Sequence, residues 1–362
     1  MSTAGGHTGD GDADADALAE TLRDASFAHL VSHADGDAVA AAGTLARALT
    51  ERGTPYQVSV ARTPAGATRR LEDADGTSVA LGFSAPTADR SVPETPSAAA
   101  FAATRALNGP TDPTLALAGG LAAGRLPGTD DVPVDADRRP GVALATADLA
   151  DGLAHSTLVR ADWSGDADAA RAALATLDLP AELDADAHTR LASAVAIDAC
   201  ADAPASAATA IERALRPHVA GPFETLGGYA DVLDCLARAA PGTATALALG
   251  HDVHDAARER WRDHSNAVHA ALDAADGARY SGVALYRGAP VWTLARLARD
   301  FASPEPAALA VGSDALALAT AEHDARAVLS EVAPSGAAGR ETLAYARTET
   351  PDELAERVVD AL

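Results

Sequence analysis

The sequence has no lysine. Its 28 basic residues are all arginines, they stand against 52 Asp and Glu, and the formal net charge is −24. Such an acid excess ordinarily argues against a polyanionic partner, because phosphate binding draws on clustered basic side chains. An arginine-only, strongly acidic composition is, however, that of proteins suited to a cytosol at molar salt. There the Debye length is about 3 Å, and bulk negative charge scarcely repels a nucleic acid beyond direct contact. The charge balance therefore reports habitat and excludes no partner. Aromatic residues make up only 4% of a chain that is 48% apolar and dominated by alanine. This disfavours strand-rich sandwiches and favours helices packed closely through small side chains. The two cysteines, Cys200 and Cys235, lack CxxC or Cys/His spacing, which removes a thiolate metal site and leaves both as buried small hydrophobes. No apolar run reaches the roughly 18 residues of a membrane span, and no basic-then-apolar leader opens the chain. A soluble cytoplasmic protein without a membrane partner is expected.

What is present reads as a helix-rich α/β protein of two unequal compact units, since 362 residues exceed what one core usually supports. Residues 1–16, rich in Gly and Asp, are expected to form a disordered acidic tail. Residues 17–165 read as a parallel-sheet domain. The apolar Phe27, Leu30 and Val31, the polar Ser32–Asp37 and a helix over Ala38–Leu49 form the first step of a βαβ unit. Strands then follow at Tyr56–Val60, Ser78–Phe83 and Gly141–Ala145, and helices at Pro96–Leu107 and Pro113–Gly124. Residues 166–275 read as an Ala-rich helical connector broken at prolines. Residues 276–362 read as a smaller α/β domain with strands at Gly282–Tyr286, Ala308–Val311, Leu316–Thr320 and Leu343–Arg347. Its last helix is expected to start from Thr350 as N-cap, with Pro351 at N1 and Glu353 completing a capping box.

The most informative segment is Ser32-His33-Ala34-Asp35-Gly36-Asp37. It gathers an imidazole and two carboxylates at the carboxyl end of the first strand, where open α/β sheets place their ligands. Oxygen and imidazole donors together suit Mn²⁺ or Mg²⁺. Turn chemistry, with Asp37 as a helix cap, is the other use of the same residues.

His33-x-Asp35-x-Asp37, between an apolar strand and an Ala-rich helix, resembles the first motif of the DHH phosphoesterases, nearest their RecJ-like branch. Gly152–Val159, Gly221–Thr225 with Gly228–Leu233, and Ser335–Thr342 resemble further RecJ-like segments, so the resemblance covers most of the chain after Asp16. It implies a DHH-like first domain and a DHHA1-like, substrate-binding last domain. It also implies His33, Asp35 and Asp37 as ligands to manganese (or magnesium), with Asp35 and Asp37 catalytic. Ser335, Gly336, Gly339 and Arg340, together with His155, are implied as a phosphate or nucleic-acid site, with a flexible turn as the plain alternative for the Gly-rich loop.

One departure weighs on activity. The name-giving Asp-His-His is absent, and Leu81–Ser97, where further donors are sought, offers only Asp89 and Glu94. A two-metal centre needs several more donors than one loop supplies, so the expected cofactor is one weakly held Mn²⁺ or Mg²⁺, or none. Asp148 is read first as a helix cap. Asp263-His264-Ser265 is read as a surface coincidence, and Ser156 lacks the surroundings of a nucleophile. The leading expectation is a RecJ-like protein that binds single-stranded nucleic acid or replication proteins such as GINS or MCM, with a degenerate nuclease centre. The alternatives are an active Mn-dependent phosphodiesterase or single-stranded exonuclease, and a regulatory subunit for a small phosphorylated ligand.

Overall fold

The structure, a computed structural model, describes residues 8–72, 75–275, 277–333 and 336–362. In chain order the elements are α1 (Thr8–Arg23), β1 (Ala28–His33), α2 (Gly36–Arg52), β2 (Tyr56–Ala61), α3 (Pro64–Glu72), β3 (Thr77–Leu81), β4 (Arg90–Val92), α4 (Pro96–Ala106) and α5 (Pro113–Ala122). The middle of the chain holds β5 (Asp137–Arg138), α6 (Leu149–His155), α7 (Ala167–Ala175), α8 (Ala185–Cys200), α9 (Ala207–Ala214), β6 (His218–Val219), α10 (Leu226–Ala239), α11 (Pro241–Ala248) and α12 (His254–Asp273). The last part is β7 (Ala278–Tyr280), β8 (Val283–Arg287), α13 (Val291–Phe301), β9 (Ala307–Val311), β10 (Ala315–Thr320), α14 (Ala325–Val332), β11 (Ala338–Arg340), β12 (Leu343–Arg347) and α15 (Pro351–Ala361). The expected α/β class is the observed one, with a parallel sheet in the N-terminal region and a second sheet in the C-terminal region. Among the described residues no helix is long and apolar enough to cross a membrane.

The chain divides into two compact units, one of residues 1–135 with 236–254 and the other of 136–235 with 255–362. In the first, a parallel sheet of order β2-β1-β3-β4 carries α2, which is buried along most of its length. Alanine and glycine make that burial possible: a Cβ at Gly43 would lie 2.6 Å from Ala248 Cβ of α11, so only glycine lets the two helices meet. Leu18, Leu22, Leu30, Leu45, Leu49, Val79 and Leu81 fill this core.

The second unit is built on a sheet of order β11-β12-β10-β9-β8-β7, antiparallel except for the β8–β9 pair. Its strands alternate between two cores. Ala284, Tyr286, Ala308, Ala310, Ala317 and Tyr345 face one, and Val283, Leu285, Leu309, Leu316 and Leu318 face the other, which is the period of two imposed by the pleat.

Several expectations are corrected. The acidic tail does not extend to Asp16, because α1 starts at Thr8. Ala15, Leu18, Ala19 and Leu22 give it a buried stripe that offsets the ordering cost. Residues 1–7 lie outside the described residues. The 166–275 connector is not a body of its own: residues 236–254 group with the first unit, and the rest shares the second. Gly141–Ala145 is no strand beyond an isolated bridge from Val142 to Leu215. Its backbone groups are taken instead by Ala214 O, Thr225 N and Thr225 Oγ1. Cys235 is buried but Cys200 is exposed, since α8 buries Ala187, Leu191, Val195 and Ala199 and Cys200 falls one residue off that stripe. The capping box at Thr350 does not form. Its side chain makes no cap bond, and its backbone N–H donates to Thr348 Oγ1 at 3.1 Å. His264 and Ser265 are buried, and bond to Thr293 Oγ1 at 2.8 Å and to the His155 carbonyl at 2.6 Å.

Candidate functional site

β1 ends at His33, and its hydrogen bonding to β2 continues one step further through Ala34 N to the Ala61 carbonyl. The chain then turns into α2, whose N-cap is Asp35 in extended conformation, with its carboxylate accepting from Ala38 N at 2.8 Å. The structure therefore brings His33, Asp35 and Asp37 together at the carboxyl end of β1, as the sequence spacing predicts. All three are buried.

Their lone pairs are directed at protein donors. The other Asp35 oxygen accepts from His33 Nδ1. A proton on Nδ1 makes Nε2 the acceptor of the neutral ring, and Nε2 faces Arg238 NH2 at 3.4 Å. His33 also packs edge-on against Phe83, with ring centroids 5.0 Å apart. Asp37 is held in a fork: Arg125 NH1 donates to Oδ2 at 2.9 Å and Arg125 NH2 to Oδ1 at 3.1 Å. Ser97 N also donates to Oδ1, at 3.2 Å. The remaining Arg125 donor, Nε, reaches Asp130 at 2.9 Å. Burial lowers the guanidinium pKa, but Asp37 and Asp130 together outweigh it and raise the pKa above its ordinary value. The guanidinium is therefore a permanent cation at this place.

β3 lies beside β1, and the residue following it, next to His33, is Gly82, with φ at +74°. A Cβ there would stand 2.8 Å from the His33 Cβ, so the position cannot carry a carboxylate without displacement. Asp89 is bound at the opposite end of β3, accepting from Ser78 N at 2.8 Å and Ser78 Oγ at 2.9 Å. That is four residues before Gly82, or about 13 Å along a strand. Asp148 caps α6 through Ala150 N and Asp151 N. Among the described residues no group of three or more His, Cys, Asp and Glu could hold a metal ion. The donor set does not fit Mn²⁺ or Mg²⁺: the Asp37 oxygens and His33 Nε2, where an ion would bind, face arginine side chains. Arg125 and Arg238 are what sequence reading missed. Neither lies in a motif, and only the fold brings residues 88 and 205 positions away to the loop.

The expected phosphate-binding residues lie in the second unit. Gly336 and Gly339 take positive φ. Gly339 is required by the hairpin itself, because a Cβ would meet the Leu343 carbonyl at 2.4 Å. Arg340 Cζ stacks 5.5 Å from the centroid of the Trp292 ring. His155 Nδ1 bonds to the Asp151 carbonyl at 2.9 Å, and the ring packs edge-on against Trp261. Ser335 lies outside the described residues.

Comparison with known proteins adds family and fold. Residues 274–362 match the family model described as "Uncharacterized protein rrnAC1427, C-terminal domain". Over 316 residues the chain is 47% identical to the rrnAC1427 protein of Haloarcula marismortui, covering 85% of this chain and 84% of that one. The fold is similar to that of CDC45 from Entamoeba histolytica, with a TM-score of 0.56 at 8% identity, over 97% of this chain and 99% of that one. A RecJ exonuclease bound to manganese aligns with a TM-score of 0.47 at 13% identity, over 97% of this chain and 93% of that one.

Proposed function

The chain belongs to the family of the Haloarcula marismortui protein rrnAC1427 and has a fold similar to that of CDC45, and from that premise we propose that it is a RecJ-like scaffold of the DHH type binding single-stranded nucleic acid or replication factors, with its nuclease centre closed by arginine. The observation that carries this reading is the fork from Arg125 to both oxygens of Asp37. A metal-dependent phosphodiesterase needs carboxylates that face an ion and an open coordination position for the attacking hydroxide. Here the charge of Asp37 is already met by a side chain that cannot lose its proton and carries no water to activate. Arg238 at His33 Nε2 adds a second cation where a ligand nitrogen would be needed. The alternative of an active phosphodiesterase requires more donors at the loop. Asp89 and Asp148 are its candidates, and they are engaged by Ser78 and by the start of α6.

The test is direct. Full-length protein at molar KCl, incubated with Mn²⁺ and a labelled single-stranded DNA or RNA oligonucleotide, is expected to retain the oligonucleotide in an anisotropy assay and to release no nucleotides. Release that depends on Mn²⁺ and is abolished by Asp35→Ala would overturn the reading. GINS and MCM are the protein partners to examine by co-purification if the oligonucleotide is not retained.

A further inference from the structure

The second unit contains an arginine cluster that the loop chemistry does not use. α13 presents Arg296 and Arg299 one turn apart, and α9 brings Arg213 beside them. One buried carboxylate, Asp300, serves two of the three. Arg299 Nε donates to its Oδ1 at 2.8 Å and NH2 donates to the same atom at 2.5 Å, while Arg213 NH2 stands 3.6 Å from Oδ2. Arg296 turns to a neutral residue, donating to the carbonyl of Thr157 at 3.0 Å and to its Oγ1 at 2.8 Å. The Thr157 hydroxyl in turn donates to the buried Asp231.

Arg213 is the informative member. Beside the 3.6 Å ion pair of its NH2 with Asp300 Oδ2, no hydrogen bond engages it among the described residues, and its side chain is 29% exposed. Burial is the largest cause lowering its pKa. Asp300 opposes that fall, while the charges of Arg296, Arg299 and Arg340 add to it. In a chain where acids outnumber bases 52 to 28, carboxylates to neutralise such a cluster are abundant, yet Arg213 and Arg299 share the single carboxylate of Asp300, and Arg296 reaches Asp231 only through Thr157. A half-buried, under-neutralised guanidinium fork matches the geometry of a phosphate oxyanion.

We propose that Arg213, supported by Arg296 and Arg299, is the grip of a phosphate-type oxyanion site on the α9–α13 face of the second unit. The shared ligand chemistry is that of a nucleic-acid backbone phosphate and of a small phosphorylated ligand. The proposal deepens the reading above by naming where phosphate is held, and its nucleic-acid arm rests on that reading.

The experiment uses the full chain at fixed high KCl, with pyrophosphate titrated calorimetrically and a single-stranded oligothymidylate followed by anisotropy. Wild type is compared with Arg213→Gln and Arg213→Lys. Pyrophosphate binding weakened about tenfold or more by Arg213→Gln is the expected result. Should Arg213→Gln unfold, Arg213→Lys keeps the charge and loses the fork: weaker pyrophosphate binding supports the site, and unchanged binding overturns it. Absence of pyrophosphate binding by wild type, or binding indifferent to both variants, also overturns it. Oligonucleotide binding that survives those failures leaves the nucleic-acid reading standing without this site. Arginine-dependent pyrophosphate binding without oligonucleotide binding leaves the site standing as one for a small phosphorylated ligand and removes the nucleic-acid reading.

Discussion

Asp37 and Arg125 form a pair in which the Asp37 side chain is 7% exposed and Arg125 is 22% exposed. Removing one partner of a buried pair leaves an uncompensated charge, which costs about 3–5 kcal/mol, whereas neutralising both costs far less. Arg125→Ala should therefore lower the denaturant midpoint sharply, and the double variant Arg125→Ala/Asp37→Asn should recover most of that loss. A recovery near zero would mean that the fork is not the main stabilising contact of Asp37. Asp35 has a different duty. Asp35→Ala removes both the N-cap of α2 and the acceptor of the buried His33 Nδ1 and should cost about 2–4 kcal/mol, with the same loss in Mn²⁺ and in EDTA. At this scale the sequence was half legible. His33, Asp35 and Asp37 announce themselves because strand, turn and helix put them within five residues of one another. Arg125 and Arg238 carry no local signature, since their meaning depends on which carboxylate or imidazole the fold sets opposite them.

α10 shows how an element is fixed by its closest approach. At Gly228 an added Cβ would lie 2.0 Å from the Leu144 carbonyl oxygen, and Thr225 Oγ1 donates to that same carbonyl at 2.9 Å while accepting from Leu144 N at 2.9 Å. Backbone cannot yield as a flexible side chain does, so Gly228→Ala should destabilise by about 3 kcal/mol or abolish folding. Soluble yield and the thermal midpoint would register either outcome, and an unchanged midpoint would show that the contact is loose. The same contact explains why Gly141–Ala145 was misread. An apolar pentapeptide reads as a strand from its pattern, yet here residues 214 and 225 satisfy its backbone. The strands β8, β9, β10 and β12 were legible because their alternation is regular and each is bounded by turn residues, whereas short edge strands such as β7 and β11 carry too few residues to show a period.

At the scale of the whole molecule, pH reports on buried histidines. Burial is the main cause that lowers the pKa of His269 from 6.5 to about 4, with Arg160 adding to it, against the bond to the Ser156 carbonyl. A folded-state pKa below the unfolded value means that the unfolded chain takes the proton first. The contribution is thus complete above about pH 6.5 and is lost as pH falls toward 4, amounting to about 3 kcal/mol. Denaturant midpoints from pH 7 to 4.5 should fall, and His269→Gln should flatten that slope; a parallel slope in the variant would assign the acid sensitivity elsewhere. Length and composition predict two units, but nothing in the sequence marks the grouping of residues 236–254 with the first, because one helix, α10, runs across the boundary without a break in its pattern. The Arg125 fork also bears on descent. For this fold to gain a metal centre, Arg125 must leave, yet its departure alone strands a buried carboxylate, and Gly82 must acquire a side chain where His33 leaves no room. Each single step is expected to lower stability before any metal could bind, so a metal-holding loop is separated from the observed one by less stable intermediates.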